Sequence, residues 1–290
     1  MSSVRNVLTH SALALTALLT TGCESALFAF ANRNVAPPEV SVTYAPDLGL
    51  ALDVYRPQGP QPGNAPAPTV VFFYGGGWQR GERAQYRFIG RRLAQNGILA
   101  IVADYRTFPT AGFPAFVDDA ARAVAWTRDN AHEHGGDPGR LFVAGHSAGA
   151  QIAALVGTDA RYLERQGMKP GDLAGVIGLA GPYDFEITGQ YRQVFGPIAQ
   201  WPQAQAINFV DGRSPPFLLI HGTGDRVVEA RDSRQMDDKL TGAGVRSELL
   251  MLADAGHSAP LLALYDPGRL PQVLDAIVGF VARTPPPPAQ

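Results

Sequence analysis

Between residues 40 and 283 the chain alternates short apolar runs with amphipathic stretches. Residues 69–74, 98–103, 141–144, 174–180, 217–220 and 246–252 are apolar-rich segments of strand length. Most show no polar alternation, so they predict strands buried on both faces, as in a parallel sheet between helical layers. Residues 82–96 carry a helical pattern that stops at Gly97, and residues 117–132 place Val117, Ala121, Val124 and Ala125 at helical spacing. Residues 150–156 predict a helix, and further helical segments follow the strands at 217–220 and 246–252. Residues 40–44 and 50–55 predict an opening antiparallel pair. The whole reads as α/β: a mostly parallel twisted sheet with helices on both faces. Sites in such sheets form in loops at the carboxyl ends of the strands.

The length of 290 residues suits one large domain, assigned here to residues 40–283. Residues 24–39, which include Pro37-Pro38, read as an extended, solvated tether, and residues 284–290 as a proline-rich disordered tail. Residues 59–68 read as a loop. Twenty-four cationic against 26 acidic residues leave a formal charge of −2, and Lys169 and Lys239 are the only lysines. No basic stripe marks a nucleic-acid partner. One cysteine supports neither an internal disulfide nor a cysteine-based zinc cluster, and no metal site is expected.

Residues 1–23 read as an export signal: Arg5, an apolar stretch at 11–21, then Gly22-Cys23-Glu24. The apolar run is shorter than the ~20 residues of a membrane span. Leu19-Thr20-Thr21-Gly22-Cys23 resembles a bacterial lipobox, which implies lipidation of Cys23, although Thr20 stands where an aliphatic residue is usual. The alternative is simple cleavage after Ala29-Phe30-Ala31. Either way the expectation is an exported protein, whose membrane contact is an N-terminal lipid anchor at the periplasmic face or outer membrane, or else a periplasmic or secreted one.

Gly145-His146-Ser147-Ala148-Gly149 follows the strand at 141–144 and precedes a helix. This is G-x-S-x-G in its strand–turn–helix setting, where flanking glycines permit a tight turn that exposes the serine. Upstream, the strand at 69–74 runs into Gly75-Gly76-Gly77-Trp78. It resembles the oxyanion loop of esterases, with Tyr74 in place of the usual histidine. The amides of Gly76, Gly77 and Ala148 are the expected oxyanion donors.

A serine nucleophile needs a base, usually histidine. Of six histidines, His10 lies in the signal, and His132 and His134 lie before a strand at the opposite end of the sheet. His146 is expected to leave the turn in another direction, and His221 to be a buried partner of its loop. His257, in a loop after a late strand, is the expected base. Asp225, just after the strand at 217–220, is the expected acid; Glu229 and Asp254 are its rivals. Asp104-Tyr105-Arg106 and Asp118-Asp119 read as an ion pair and a helix start, not chemistry.

The order Ser147, Asp225, His257, with YGGGW, GGDP at 135–138, GHSAG, GPYD at 181–184 and HGTGD, resembles the α/β-hydrolase superfamily from about residue 40 to 283. Within it the chain is similar to carboxylesterases of the hormone-sensitive-lipase and feruloyl-esterase-like type, and to isoprenylcysteine methylesterases and kynurenine formamidases. The resemblance implies serine-dependent hydrolysis of short-to-medium acyl or aryl esters, small or saccharide-linked, with no cofactor. Amide or formamide hydrolysis by the same triad, or binding without catalysis, are the alternatives. The stretch 186–213 is expected to roof the pocket. Trp78, Tyr183, Phe195 and Trp201 are candidate pocket walls, with core packing as the other reading. With no long N-terminal cap, an open site for short acyl chains is expected.

Overall fold

In the computed structural model residues 28–59 and 65–287 are described. The export signal, Cys23, the start of the tether, part of the 59–68 loop and the last three residues lie outside them.

Eight strands form one sheet in the order β1-β2-β4-β3-β5-β6-β7-β8. They are β1 (Val40–Ala45), β2 (Leu50–Tyr55), β3 (Ala67–Phe73), β4 (Leu99–Ala103), β5 (Gly136–His146), β6 (Gly175–Leu179), β7 (Phe217–Gly222) and β8 (Ser247–Leu252). β2 runs antiparallel to both β1 and β4; every pairing from β4 to β8 is parallel. The central strands are apolar on both sides because helices cover both faces: β4, β6 and β7 are buried at every position. On one face lie α2 (Arg87–Gln95), α8 (Ala259–Tyr265) and α9 (Pro271–Arg283); on the other, α3 (Ala115–Asn130), α4 (Ala148–Thr158) and α5 (Ala160–Glu164). α6 (Tyr191–Phe195) lies within the 186–213 stretch, and α7 (Arg231–Gly242) packs on β7 and β8. This is the α/β-hydrolase fold.

The chain leaves β3 for β4 on one side and returns to β5 on the other. That reversal opens a crevice at the carboxyl ends of β3 and β5, where a doubly wound sheet binds ligands. The register sets Phe73 beside Gly145, and Gly222 beside Leu252. The glycine loop, Ser147, Asp225 and His257 therefore all emerge at one edge of the sheet. His132 and His134 precede β5 at the other.

The ion pair expected within Asp104-Tyr105-Arg106 does not form: Arg106 pairs instead with Asp119, at 2.7 Å, and Asp104 is taken by Arg83. The tether departs from expectation. Residues 28–32 are helical (α1) and packed on the domain. Asn32 fastens them: its Nδ2 donates to the carbonyls of Phe28 and Gln85, and its Oδ1 accepts from the Phe88 amide. Phe28 lies 4.9 Å from the Tyr86 ring, centroid to centroid. The sequence around them carries no periodic apolar pattern, so nothing local distinguishes this helix from a linker.

Candidate active site

Ser147 caps α4 in a conformation that side chains rarely adopt, with φ 54° and ψ −121°. The flanking glycines explain why the turn closes. A Cβ on Gly145 would stand 2.2 Å from the carbonyl of Gly149, and one on Gly149 would stand 2.1 Å from the carbonyl oxygen of Phe73. Backbone occupies both places, so only glycine fits. The helix behind directs its first amides toward the serine, a setting that favours developing negative charge.

The glycine loop is held from below. Tyr74, buried, stacks on Tyr105 at 4.5 Å, and the Tyr105 hydroxyl donates to the Tyr74 carbonyl at 2.8 Å. This pair anchors the strand end just before the turn. Gly76 has φ +128°, and a Cβ there would meet the Arg80 carbonyl oxygen at 2.1 Å. Gly76 and Gly77 line one cavity with Ser147, and Ala148 opens α4 directly after the serine.

His257 Nδ1 lies 2.7 Å from Asp225 Oδ2. Asp225 has no exposed side-chain surface, and all four of its partners are donors. Oδ1 accepts from the amides of Val227 and Val228; Oδ2 accepts from His257 Nδ1 and, at 3.1 Å, from His221 Nε2. Burial opposes the charged carboxylate, but the bonds from His221, His257, Val228 and Val227 outweigh it and hold the carboxyl well below its ordinary range. His221 is itself buried. Its Nε2 faces only acceptors (Asp225 and the Val228 carbonyl), so Nε2 carries the proton and Nδ1 accepts from Ser233 Oγ at 2.7 Å. With Nδ1–H of His257 committed to Asp225, its Nε2 is left with a free lone pair.

His146 turns away from Ser147 and makes no bond to it. Its ring lies in the same cavity as Ser147, 4.8 Å from the His257 ring, and its Nε2 donates to the His257 carbonyl at 3.1 Å. Burial first, and the neighbouring His257 second, push its imidazole down to about 3. The motif shows which residue precedes the serine; where its side chain goes depends on a loop more than a hundred residues away.

Two cavities of about 340 Å³ each meet at Ser147 and share Gly77, Tyr191 and Val227. One also holds His257 and His146 and is walled by Phe28, Phe30, Phe88, Leu261 and Leu262. The other is lined by Trp78, Pro182 and Phe185, with Glu186, Glu229 and Asp232. Burial raises the Asp232 carboxyl to about 7. Trp78 is both wall and core: it stacks on Phe185 at 5.3 Å, and its Nε1 donates to Gln151. Tyr183 and Phe195 are fully buried and line neither cavity, because Tyr183 fills the space left by Gly178 and Gly181 and Phe195 packs edge-on to Trp78. Trp201 is turned away too, its Nε1 bonded to the Gly196 carbonyl. From the 186–213 stretch it is Tyr191 that reaches both cavities. The α1 segment supplies Phe28, Phe30 and Ala31 to one wall. Among the described residues no cluster of His, Cys, Asp and Glu has metal-site geometry, and no helix is long and apolar enough to cross a membrane.

The BD-FAE family model matches residues 52–240. The isoprenylcysteine alpha-carbonyl methylesterase ICME of Arabidopsis thaliana is 29% identical over 266 residues, covering 83% of this chain and 61% of that protein. Esterase LipC of Mycobacterium tuberculosis is 33% identical over 243 residues, covering 76% and 60%. The chain thus spans less than two thirds of the length of either relative. Among solved structures, the apo form of Thermogutta terrifontis esterase 2 superposes with a TM-score of 0.75 at 24% identity, covering 89% of this chain and 98% of that one. A truncated carbohydrate esterase from gut microbiota superposes with a TM-score of 0.73 at 21% identity, covering 86% and 99%. These likenesses show the shared fold.

Proposed function

Because the chain belongs to the BD-FAE family, we propose that it hydrolyses carboxylic esters through an acyl-enzyme on Ser147. The observation that carries this reading is the convergence of Ser147, the 75–77 glycine loop and an Asp225-oriented His257 on one cavity. His257 Nε2 takes the proton of Ser147 as Oγ attacks the acyl carbon, and Asp225 stabilises the imidazolium. The amides of Gly76, Gly77 and Ala148 receive the oxyanion. Collapse of the tetrahedral intermediate expels the alcohol, which leaves with the proton from His257. Water, activated by the same imidazole, then releases the acid.

The test is hydrolysis of nitrophenyl acetate and of the matched acetanilide by the wild type and by Ser147→Ala. Ester turnover that falls by ~10³-fold or more in the variant, at unchanged far-UV circular dichroism, is expected. Wild-type turnover of the anilide alone would replace the esterase reading with an amidase. Equal ester rates in both proteins would remove the nucleophile.

Export with lipidation at Cys23 is part of the same proposal. The packing of α1 on the domain supports processing before Cys23 over cleavage after Ala31, which would discard Phe28 and Phe30. In a bacterial host, Cys23→Ser is expected to abolish labelling by an alkyne fatty acid; undiminished labelling would refute the anchor.

A further inference from the structure

The two cavities at Ser147 differ in which of them contains the acid–base group. In ester cleavage the leaving alkoxide must take its proton from His257, so the alcohol oxygen lies beside that ring and its substituent extends into the space the ring borders. Only one of the two cavities is bordered by His257. The other, reached past Gly77 and Trp78, is left for the acyl group.

We infer, resting on the esterase reading above, that the His257-side cavity is an alcohol pocket for apolar alcohols, and that α1 forms its outer wall. The lining is mainly hydrocarbon and ring (Phe28, Phe30, Phe88, Leu261, Leu262 and Tyr265), with Gln79, Arg80, Ser258 and Arg269 as polar members. Its volume of about 340 Å³ sits at the lower end of the ~300–1,000 Å³ usual for small-ligand pockets. The wall is a built feature. Phe28 packs on Tyr86, Phe30 faces the Tyr265 ring at 6.0 Å with the Arg33 guanidinium 3.6 Å above it, and Asn32 ties the helix to Gln85 and to Phe88 in the first turn of α2. Phe30 remains 52% exposed, an apolar surface that a bound chain would cover. The substrate class is therefore a carboxylic ester of an apolar alcohol, and chain-length selectivity resides in the alcohol, not the acid.

Two ester series separate these possibilities: acetates of ethanol through hexanol, and ethyl esters of acetate through hexanoate, followed by pH-stat with the full chain. In the wild type kcat/KM is expected to rise along the alcohol series by up to about fourfold per buried methylene, and to change little along the acid series. Phe28→Ala/Phe30→Ala, which removes the wall's rings, should lower the hexyl-to-ethyl acetate ratio by about tenfold and leave the hexanoate-to-acetate ratio in place. Leu262→Trp, which fills the cavity from its half-buried lip, should lower the same ratio independently of α1. An alcohol ratio unmoved in both variants, or a shift confined to the acid series, would overturn the inference while leaving the esterase intact. Absence of Ser147-dependent turnover on every ester would overturn the esterase reading itself, and this one with it.

Discussion

Replacing Asp225 by asparagine tests the electrostatic logic of the site, because the carboxylate's four partners all donate. An asparagine must turn its NH2 toward one pair of them. The amides of Val227 and Val228 cannot change what they donate, so the carbonyl oxygen stays with them and the NH2 faces the two histidines. Both rings can answer by changing tautomer. His221 moves its proton to Nδ1 and donates to Ser233 Oγ, and His257 moves its proton to Nε2. The protein then stays folded, but the Nε2 lone pair to which the proposed mechanism assigns the deprotonation of Ser147 is gone. The loss is the base's contribution, about 10²–10⁴-fold, and about 10⁴-fold where a triad aspartate becomes asparagine. Exchanging charge-assisted for neutral hydrogen bonds should cost only ~1–3 kcal/mol of stability. Stopped-flow with nitrophenyl acetate, beside a urea titration, measures both. An Asp225→Asn protein that keeps kcat within tenfold of wild type, or whose inactivity accompanies unfolding in buffer, would refute this tautomer switch.

Two further outcomes follow from the packing. His146 is held neutral with its imidazole at about 3, whereas an unfolded chain takes up that proton near 6.5; its contribution is therefore complete above pH 6.5 and declines as pH falls from there toward 3. The decline is up to ~2 kcal/mol between pH 6.5 and 5, so urea midpoints at pH 7 and 5 should differ more for wild type than for His146→Gln, and parallel shifts would remove the argument. Gly149→Ala sets a Cβ 2.1 and 2.5 Å from the carbonyl oxygens of Phe73 and Tyr74, both backbone. It should destabilise by at least ~3 kcal/mol, and a melting temperature within a degree or two of wild type would contradict the contact.

Local pattern and spacing encode the strands and the turns. Buried runs such as TVVFF specify parallel strands, because an unalternating apolar strand is stable only between two covering layers. GHSAG and YGGGW encode two tight turns, since the backbone contacts at Gly145, Gly149 and Gly76 admit no other residue. With those turns fixed at strand ends, elimination among the histidines and position after a late strand pointed to Asp225 and His257, which lie 2.7 Å apart. Other features depend on segments distant in sequence and emerge when those segments pack together. Whether an aromatic side chain walls a cavity or fills the core turns on its neighbours, so Tyr183 and Phe195 went to the core while Tyr191, Phe28 and Phe30 reached the pocket. His146 was legible as the residue before the serine, but its bond to the His257 carbonyl spans 111 residues. The docking of residues 28–32 rests on Asn32, Tyr86 and Tyr265, contacts that no local pattern encodes. Local pattern fixes elements because it acts through backbone sterics and burial along a few residues; pocket walls are set by which distant surfaces meet.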